Sequence, residues 1–237
     1  MDINNAFLYG DLEENVFMPQ PPTFISSDPT LVCKLCKALY GLKQAPRSWF
    51  FKLSHTLLNP GCQSRKYDTS LFTKITSTHS LFLLVYVDDI IITGSSSKAI
   101  HSLIQLLCTN FSLKDLGRLH YFLGIQVTWD SNDSILLTQT NYTKDILHRA
   151  KMDNAKIYPT PMVSSLQFSQ DGTTTISYPM LYLSIVGALQ YLTITRPELS
   201  FSVNRVFQFM HNPQEHHRRV VKRILCYIVG TSHLVRI

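Results

Sequence analysis

The stretch SLFLLVYVDDIIITG, residues 80–94, consists of two apolar runs separated by Asp88 and Asp89 and closed by Gly94. Two strand-like runs flanking a polar pair predict a β-hairpin with the aspartates at its turn. Upstream, Trp49, Phe50, Leu53 and Leu57 recur at helical spacing and Pro46 suits a first helical turn, which predicts a helix over 45–58. Downstream, Ile100, Leu103, Ile104 and Leu107 predict an amphipathic helix over 98–111. Strands over 119–129 and 134–138 and a short helix over 141–151 follow.

The flanks are less regular. MDINNAFLYGDLEE offers Asp2, Asn4 and Asn5 as helix-start residues before the apolar Ala6 to Tyr9 and then Gly10. The four prolines of MPQPPTFISSDPT predict a loop, and residues 31–37 a short strand. Residues 162–177, rich in Ser, Thr and Gln, read as a linker with little core-forming power. The tail reads as three helices: one over 184–192, one opened near Arg196-Pro197, and one opened at Asn212-Pro213 with Glu215 placed for a capping box. The last carries Val220, Val221, Ile224, Leu225 and Ile228 on one face and Arg218, Arg219, Lys222 and Arg223 on the other.

Composition narrows the classes. With 237 residues and 45% apolar content the chain can bury a sizeable core, and it is not a disordered protein. A net charge of +6 mildly favours a polyanionic partner. Five cysteines at irregular spacing follow no secretory leader, so a reducing compartment is expected and a disulfide framework is not. Cys33 and Cys36 form C-x-x-C, yet no second Cys or His pair stands at zinc-finger spacing. The longest uncharged apolar run falls far short of the roughly 20 residues that span a bilayer.

Asp88 and Asp89 then need an explanation. Two adjacent carboxylates repel by roughly 4 kcal/mol at an effective dielectric near 20. A solvated Asp-Asp surface turn is one reading; carboxylates gathered about Mg²⁺ or Mn²⁺ for phosphoryl or nucleotidyl transfer is the other. A nuclease or phosphatase would use the same carboxylates, but the His or Lys usually set beside them is not evident in the sequence. His211, His216 and His217 make no ligand pattern.

The blocks around the aspartates resemble the reverse transcriptases of copia-type retrotransposons, in order and over nearly the whole chain. YVDD, residues 86–89, looks like the Y-x-D-D motif, and MDINNAFLYGDLEE is similar to the first catalytic block, whose aspartate falls on Asp2. KALYGLKQAPRSWF, KDLGRLHYFLGIQV, LSIVGALQYLTITRPELSFSVNRVFQFMHNP and VVKRILCYIVGT resemble the blocks that follow. The resemblance implies an α+β fold: a palm of four antiparallel strands backed by helices, with Asp2 on one strand facing the Asp88-Asp89 hairpin and with partial fingers, over 1–130; a thumb start and linker over 131–177; and a helical thumb or connection over 178–237. It also implies that Asp2, Asp88 and Asp89 hold two Mg²⁺ (or Mn²⁺) ions, with Asp2 and Asp88 as the main ligands. Along a continuous strand Tyr86 and Asp88 would share a face and Asp89 would turn away.

By the same resemblance Phe7 is a sugar gate, and Gly41, Lys43 and Tyr86 lie at the nucleotide. Phe122, Leu123, Gly124 and Ile125 form a primer grip. The basic face of Arg218, Arg219, Lys222 and Arg223 would suit phosphate contacts on an RNA or DNA template-primer duplex, with a deoxynucleoside triphosphate as co-substrate, and otherwise reads as an ordinary solvated helix face. Phe7 also reads as ordinary core packing, and Lys43 and Lys114 as surface lysines. Relative to the family pattern, an upstream fingers segment and a following ribonuclease H domain are expected to be missing, Asp2 to lack a strand on its N-terminal side, and the terminal ammonium to compete with a metal. Cys226 stands where the family usually has a basic residue. A relic with the fold but no catalysis, at most a weak basic nucleic-acid binder, is the competing expectation.

Overall fold

A computed structural model describes residues 1–28, 30–132, 134–163 and 176–231. Most of the expected linker over 162–177 therefore lies outside the described residues. The chain forms two compact units, Met1–Leu119 and His120–Ile237, so all but the first residue of the strand expected over 119–129 falls in the second.

The first unit is built on one antiparallel sheet. Its strands are β1 (Asp2–Ile3), β4 (Gln63–Ser64), β5 (Leu71–Ile75), β6 (Ser80–Tyr86), β7 (Asp89–Gly94) and β8 (Leu113–Lys114), in the order β4-β5-β6-β7-β1-β8. This makes six strands where the resemblance implies four. Alternation along β6 and β7 turns Leu81, Leu83, Val85 and Ile90 to one face, joined there by Ile3 and Phe72. Two helices cover that face: α1 (Ala45–Leu58), with Trp49, Leu53 and Leu57 inward, and α2 (Ser97–Asn110), with Leu103 and Leu107 inward. Each large side chain so buried contributes about 1.5–3 kcal/mol. The Ser96 hydroxyl caps α2 by accepting from the Ala99 N–H at 3.4 Å.

The chain start joins this sheet. The residues read as a helix start make no α-helix: Asp2 and Ile3 form β1, the strand that the resemblance implies for Asp2, and Ala6–Tyr9 make one 3₁₀ turn. The Met1 carbonyl accepts from the Ile90 N–H at 2.9 Å and its amino group donates to the Ile90 carbonyl at 3.0 Å. The expected lack of pairing on the N-terminal side of Asp2 is thus corrected: the ladder reaches the first residue, and its ammonium is engaged by a carbonyl. A two-stranded ribbon, β2 (Asp11–Pro19) with β3 (Val32–Lys37), completes the unit and carries strand structure into part of the expected proline-rich loop. Asp11 pairs with Lys37 within the ribbon and ties it to α1 through Lys52 at 3.1 Å.

In the second unit β9 (Tyr121–Phe122), β10 (Ile125–Trp129) and β11 (Ile135–Thr138) form a three-stranded antiparallel sheet. The single strand expected over 119–129 is in fact a hairpin. Among the described residues four α-helices follow: α3 (Thr140–Arg149), α4 (Pro179–Leu192), α5 (Ser200–Phe207) and α6 (Glu215–Thr231). Their core is Ile185, Val186, Leu189 and Leu192 of α4, packed with Val203 and Val206 of α5 and Val221, Ile224 and Ile228 of α6. The Tyr182 hydroxyl, buried among them, donates to the Val206 carbonyl at 2.8 Å. Arg196 is buried too, and is satisfied by Glu198 and by the Thr231 hydroxyl at 2.7 Å.

The start of α6 differs from the expected capping box. His217 and not Glu215 reaches back, its Nδ1 accepting from the Gln214 N–H at 3.1 Å, while its ring stacks on Phe209. An accepting Nδ1 requires a neutral ring; burial, and secondarily His216, lower its pKa to about 4.

Two outcomes are expected. Gly10 is packed so closely on α1 that a Cβ would meet the Trp49 backbone nitrogen at 2.8 Å, so Gly10→Ala will cost about 1–3 kcal/mol in urea denaturation. Because the folded pKa of His217 lies below the ordinary 6.5, stability is complete above that value and is lost as pH falls towards about 4. Denaturation between pH 7 and 4 will show a decline on the order of 2–3 kcal/mol that His217→Gln removes.

Candidate active site

The β6–β7 hairpin turns on two residues, Val87 and Asp88, between the paired Tyr86 and Asp89. The expected turn is present, with Asp88 at its tip and Asp89 already in β7. Val87 has φ 54°, a left-handed conformation that is a genuine outlier for a β-branched residue and costs on the order of 1–3 kcal/mol. Its carbonyl accepts from the Trp49 indole N–H at 2.6 Å. The next carbonyl, that of Asp88, accepts from the Ile3 N–H of β1 at 2.9 Å. Asp88 therefore lies between two anchored peptide planes, one fastened to α1 and the other to the strand that bears Asp2.

Asp2 stands directly opposite Asp89, and the hydrogen bonds lie at the Met1–Ile90 and Ile3–Asp88 positions on either side. Asp2–Asp89 is thus a non-hydrogen-bonded pair, the kind whose side chains approach most closely, about 4.5 Å between Cα atoms. Cross-strand register continues the row on both sides, to Tyr86 on β6 and to Lys114 on β8. The solvent-facing side of the sheet so carries an aromatic ring, two carboxylates and an ammonium in line. This corrects two expectations. Strand alternation does not run through a tight turn, so Asp89 and not Asp88 shares a face with Tyr86. A lysine does stand beside the acidic set, although Lys114 is itself exposed.

The crowding has an electrostatic signature. Burial first, then the Asp88 and Asp2 carboxylates, raise the Asp89 pKa above its ordinary value, and the terminal amino group opposes them. Among the described residues no three His, Cys, Asp or Glu side chains converge on one point to hold a metal ion. The backbone brings the three aspartates alongside one another; their carboxylates do not form a closed cage.

Phe7 and Gly41 come together in the same unit. The Phe7 ring is half-buried against the core and packs on Tyr40, centroid to centroid 4.6 Å. Gly41, at φ +93°, adopts a conformation that favours glycine and opens onto space with no atom within 4 Å of a Cβ position. Lys43 is exposed two residues on.

In the second unit Phe122 and Ile125 pair across a two-residue turn, Leu123 and Gly124, with φ 49° and 84°. Positive φ at both positions is the hairpin geometry that matches strand twist. The Leu123 carbonyl accepts from the Tyr191 hydroxyl, and Tyr142 meets Tyr191 edge-on at 5.3 Å. On α6 the four cations differ. Arg218 is paired with Glu215 through two hydrogen bonds, and Arg223 lies over the Tyr158 ring at 4.7 Å and donates to the Thr160 hydroxyl at 2.9 Å. Arg219 and Lys222 are exposed. Cys226 is buried, and burial raises its thiol pKa, so its side chain is placed for packing.

The sequence reading takes Trp49 as an apolar helix position and does not single out Tyr191 within the helix over 184–192. The available signal was that a buried indole N–H or phenol O–H needs an acceptor.

A family profile described as reverse transcriptase (RNA-dependent DNA polymerase) matches residues 1–164. The chain is 47% identical over 234 residues to the retrovirus-related Pol polyprotein from transposon RE1 of Arabidopsis thaliana, covering 98% of this chain and 16% of that protein. It is 36% identical over 242 residues to the corresponding polyprotein from transposon TNT 1-94 of Nicotiana tabacum, covering 98% and 18%. A putative transposon Ty5-1 protein of Saccharomyces cerevisiae is 30% identical over 236 residues, covering 99% and 77%. The chain thus spans less than a fifth of the two plant polyproteins. No solved structure matches it. The ordered blocks, the mixed α/β architecture with an antiparallel sheet and these matches lead to one conclusion: the chain belongs to the reverse transcriptase (RNA-dependent DNA polymerase) family, in its copia-type retrotransposon branch.

Proposed function

We propose that the chain carries the polymerising core of an RNA-directed DNA polymerase, which adds deoxynucleotides to a primer 3′-hydroxyl on an RNA or DNA template. The observation that carries this reading is the placement of Asp2 directly opposite Asp89, with Asp88 held at the adjoining turn by the strand of Asp2. The three carboxylates are hard oxygen donors; burial and, after it, the repulsion of Asp88 and Asp2 raise the Asp89 pKa, and a divalent cation would relieve that repulsion. The donors fit Mg²⁺ or Mn²⁺, with Asp2 and Asp88 as chief ligands and Asp89 in support. Asp2, Asp88 and Asp89 would hold two such ions, whose chemistry would be to activate the 3′-hydroxyl and neutralise the triphosphate.

The protein's own residues do the positioning. Phe7, braced by Tyr40, presents a ring that rejects a ribose 2′-hydroxyl by contact. Gly41 leaves its backbone open to the nucleotide, with Lys43 and Tyr86 flanking. In this reading the first unit is the palm and the second the thumb or connection. The Phe122–Ile125 hairpin then supports the primer, and Arg219 and Lys222 of α6 meet duplex phosphates, with less from the internally paired Arg218 and Arg223.

A second reading, a relic that binds nucleic acid without catalysis, is favoured by the unconverged aspartates. Oligo(dT) extension on poly(rA) separates the two. We expect Mg²⁺-dependent extension that Asp2→Asn and Asp88→Asn each reduce at least about 10³-fold. Salt-sensitive duplex binding unchanged by Asp88→Asn, with no extension in either ion, would establish the relic.

Stability should move the opposite way. Since the folded pKa of Asp89 lies above its ordinary value, ionising it costs stability, and the fold weakens as pH rises through that raised value. Asp89→Asn is expected to gain about 0.5 kcal/mol at neutral pH, a small figure because solvent screens the pair. The gain will vanish below about pH 3 in denaturant titrations, where the carboxyl is protonated in both states.

A further inference from the structure

Nothing in the proposed chemistry calls on Trp49, yet its indole makes an unusual bond. Its ring is 2% exposed and is gripped on two sides, edge-on by Phe111 at 5.2 Å and by Tyr9 at 6.1 Å. Tyr9 is itself fastened, its hydroxyl accepting from the Ser112 N–H at 2.7 Å. The indole N–H therefore has a fixed aim, and it points at the carbonyl of Val87, the one residue of the acidic hairpin in the left-handed region. That carbonyl belongs to the peptide joining Val87 to Asp88, so fixing it sets the plane from which the Asp88 side chain departs. A β-branched residue in this conformation relaxes unless its surroundings hold it.

We infer that Trp49 is a positioning residue: its indole N–H holds the strained Val87 turn and thereby keeps Asp88 and Asp89 in register with Asp2. The catalytic half of this inference rests on the polymerase reading; the conformational half does not. Without the N–H the turn relaxes, Asp88 swings away from β1, and the acidic set loses its alignment while the nucleotide-contacting residues stay in place. The loss therefore falls on turnover and not on nucleotide affinity. Glycine adopts the left-handed conformation without steric cost, so a glycine at position 87 makes the indole bond largely dispensable.

The test uses the full chain as wild type, Trp49→Phe, Val87→Gly and the double variant. In ¹⁵N-labelled protein, the Val87 amide-to-Hα coupling and intraresidue NOE report its φ. Trp49→Phe is expected to abolish the left-handed signature while the remainder of the spectrum persists. In oligo(dT) extension, Trp49→Phe should lower kcat roughly tenfold or more with KM for dTTP within about twofold. In the Val87→Gly background the same substitution should lower kcat by less than about twofold. A general packing defect would instead lower kcat by the same factor in both backgrounds, which overturns the inference. An unchanged Val87 φ in Trp49→Phe overturns it as well. If Trp49→Phe does not fold, refolding of the double variant supports the inference, and a double variant equally unfolded rejects it. If the wild-type chain shows no extension, the polymerase reading fails, and the Val87 φ in Trp49→Phe alone decides this one.

Discussion

A two-residue strand cannot hold a carboxylate in place by its own backbone, yet β1 carries Asp2. It does so because both of its edges are paired, one with β7 and the other with β8, and because the ladder extends through Met1 to Ile90. The Ile3 side chain supplies the apolar anchor beneath, fully buried while Asp2 faces the other way. Period-two alternation thus does two jobs in adjacent residues: one is driven into the core, and the next is left beside Asp89 with nowhere to retreat. Local electrostatics opposes this arrangement, and it persists because the register is set by the core face.

A second device recurs in both units. The β6–β7 and β9–β10 hairpins each turn through a left-handed non-glycine residue, Val87 or Leu123, and in each case the carbonyl of that residue accepts from an aromatic donor on a helix, Trp49 or Tyr191. The donor is a large side chain already held by packing, so ordering it for the hydrogen bond costs little additional entropy.

The sequence is legible where periodicity runs long. The helix over 45–58 emerges at the bounds its apolar spacing indicates, and the helix expected over 98–111 is displaced by a single residue. Pairing that extends for only two residues, as in β1, β4 and β8, is too short for any periodic pattern to register. The run from Tyr121 to Trp129 reads as one strand because its single break, Leu123-Gly124, contains an apolar residue where turn chemistry leads one to look for Asn or Asp. At the candidate site, motif order singles out Asp2, Asp88 and Asp89 as candidates, whereas which aspartate faces Tyr86 depends on the hairpin having two turn residues. The direction in which each indole or phenol points is a tertiary matter that no local pattern encodes.

The internal pairing on α6 sets how strongly such a helix can answer to ionic strength. Arg218 is neutralised by Glu215, while Arg223, held against Tyr158 and Thr160, keeps its charge beside the exposed Arg219 and Lys222. A polyanion laid along this helix would displace about three condensed counterions instead of four, so its affinity would fall with the logarithm of salt at a slope near −3 and not near −4. By that measure the helix would be a somewhat gentler electrostatic rail than its four cations suggest.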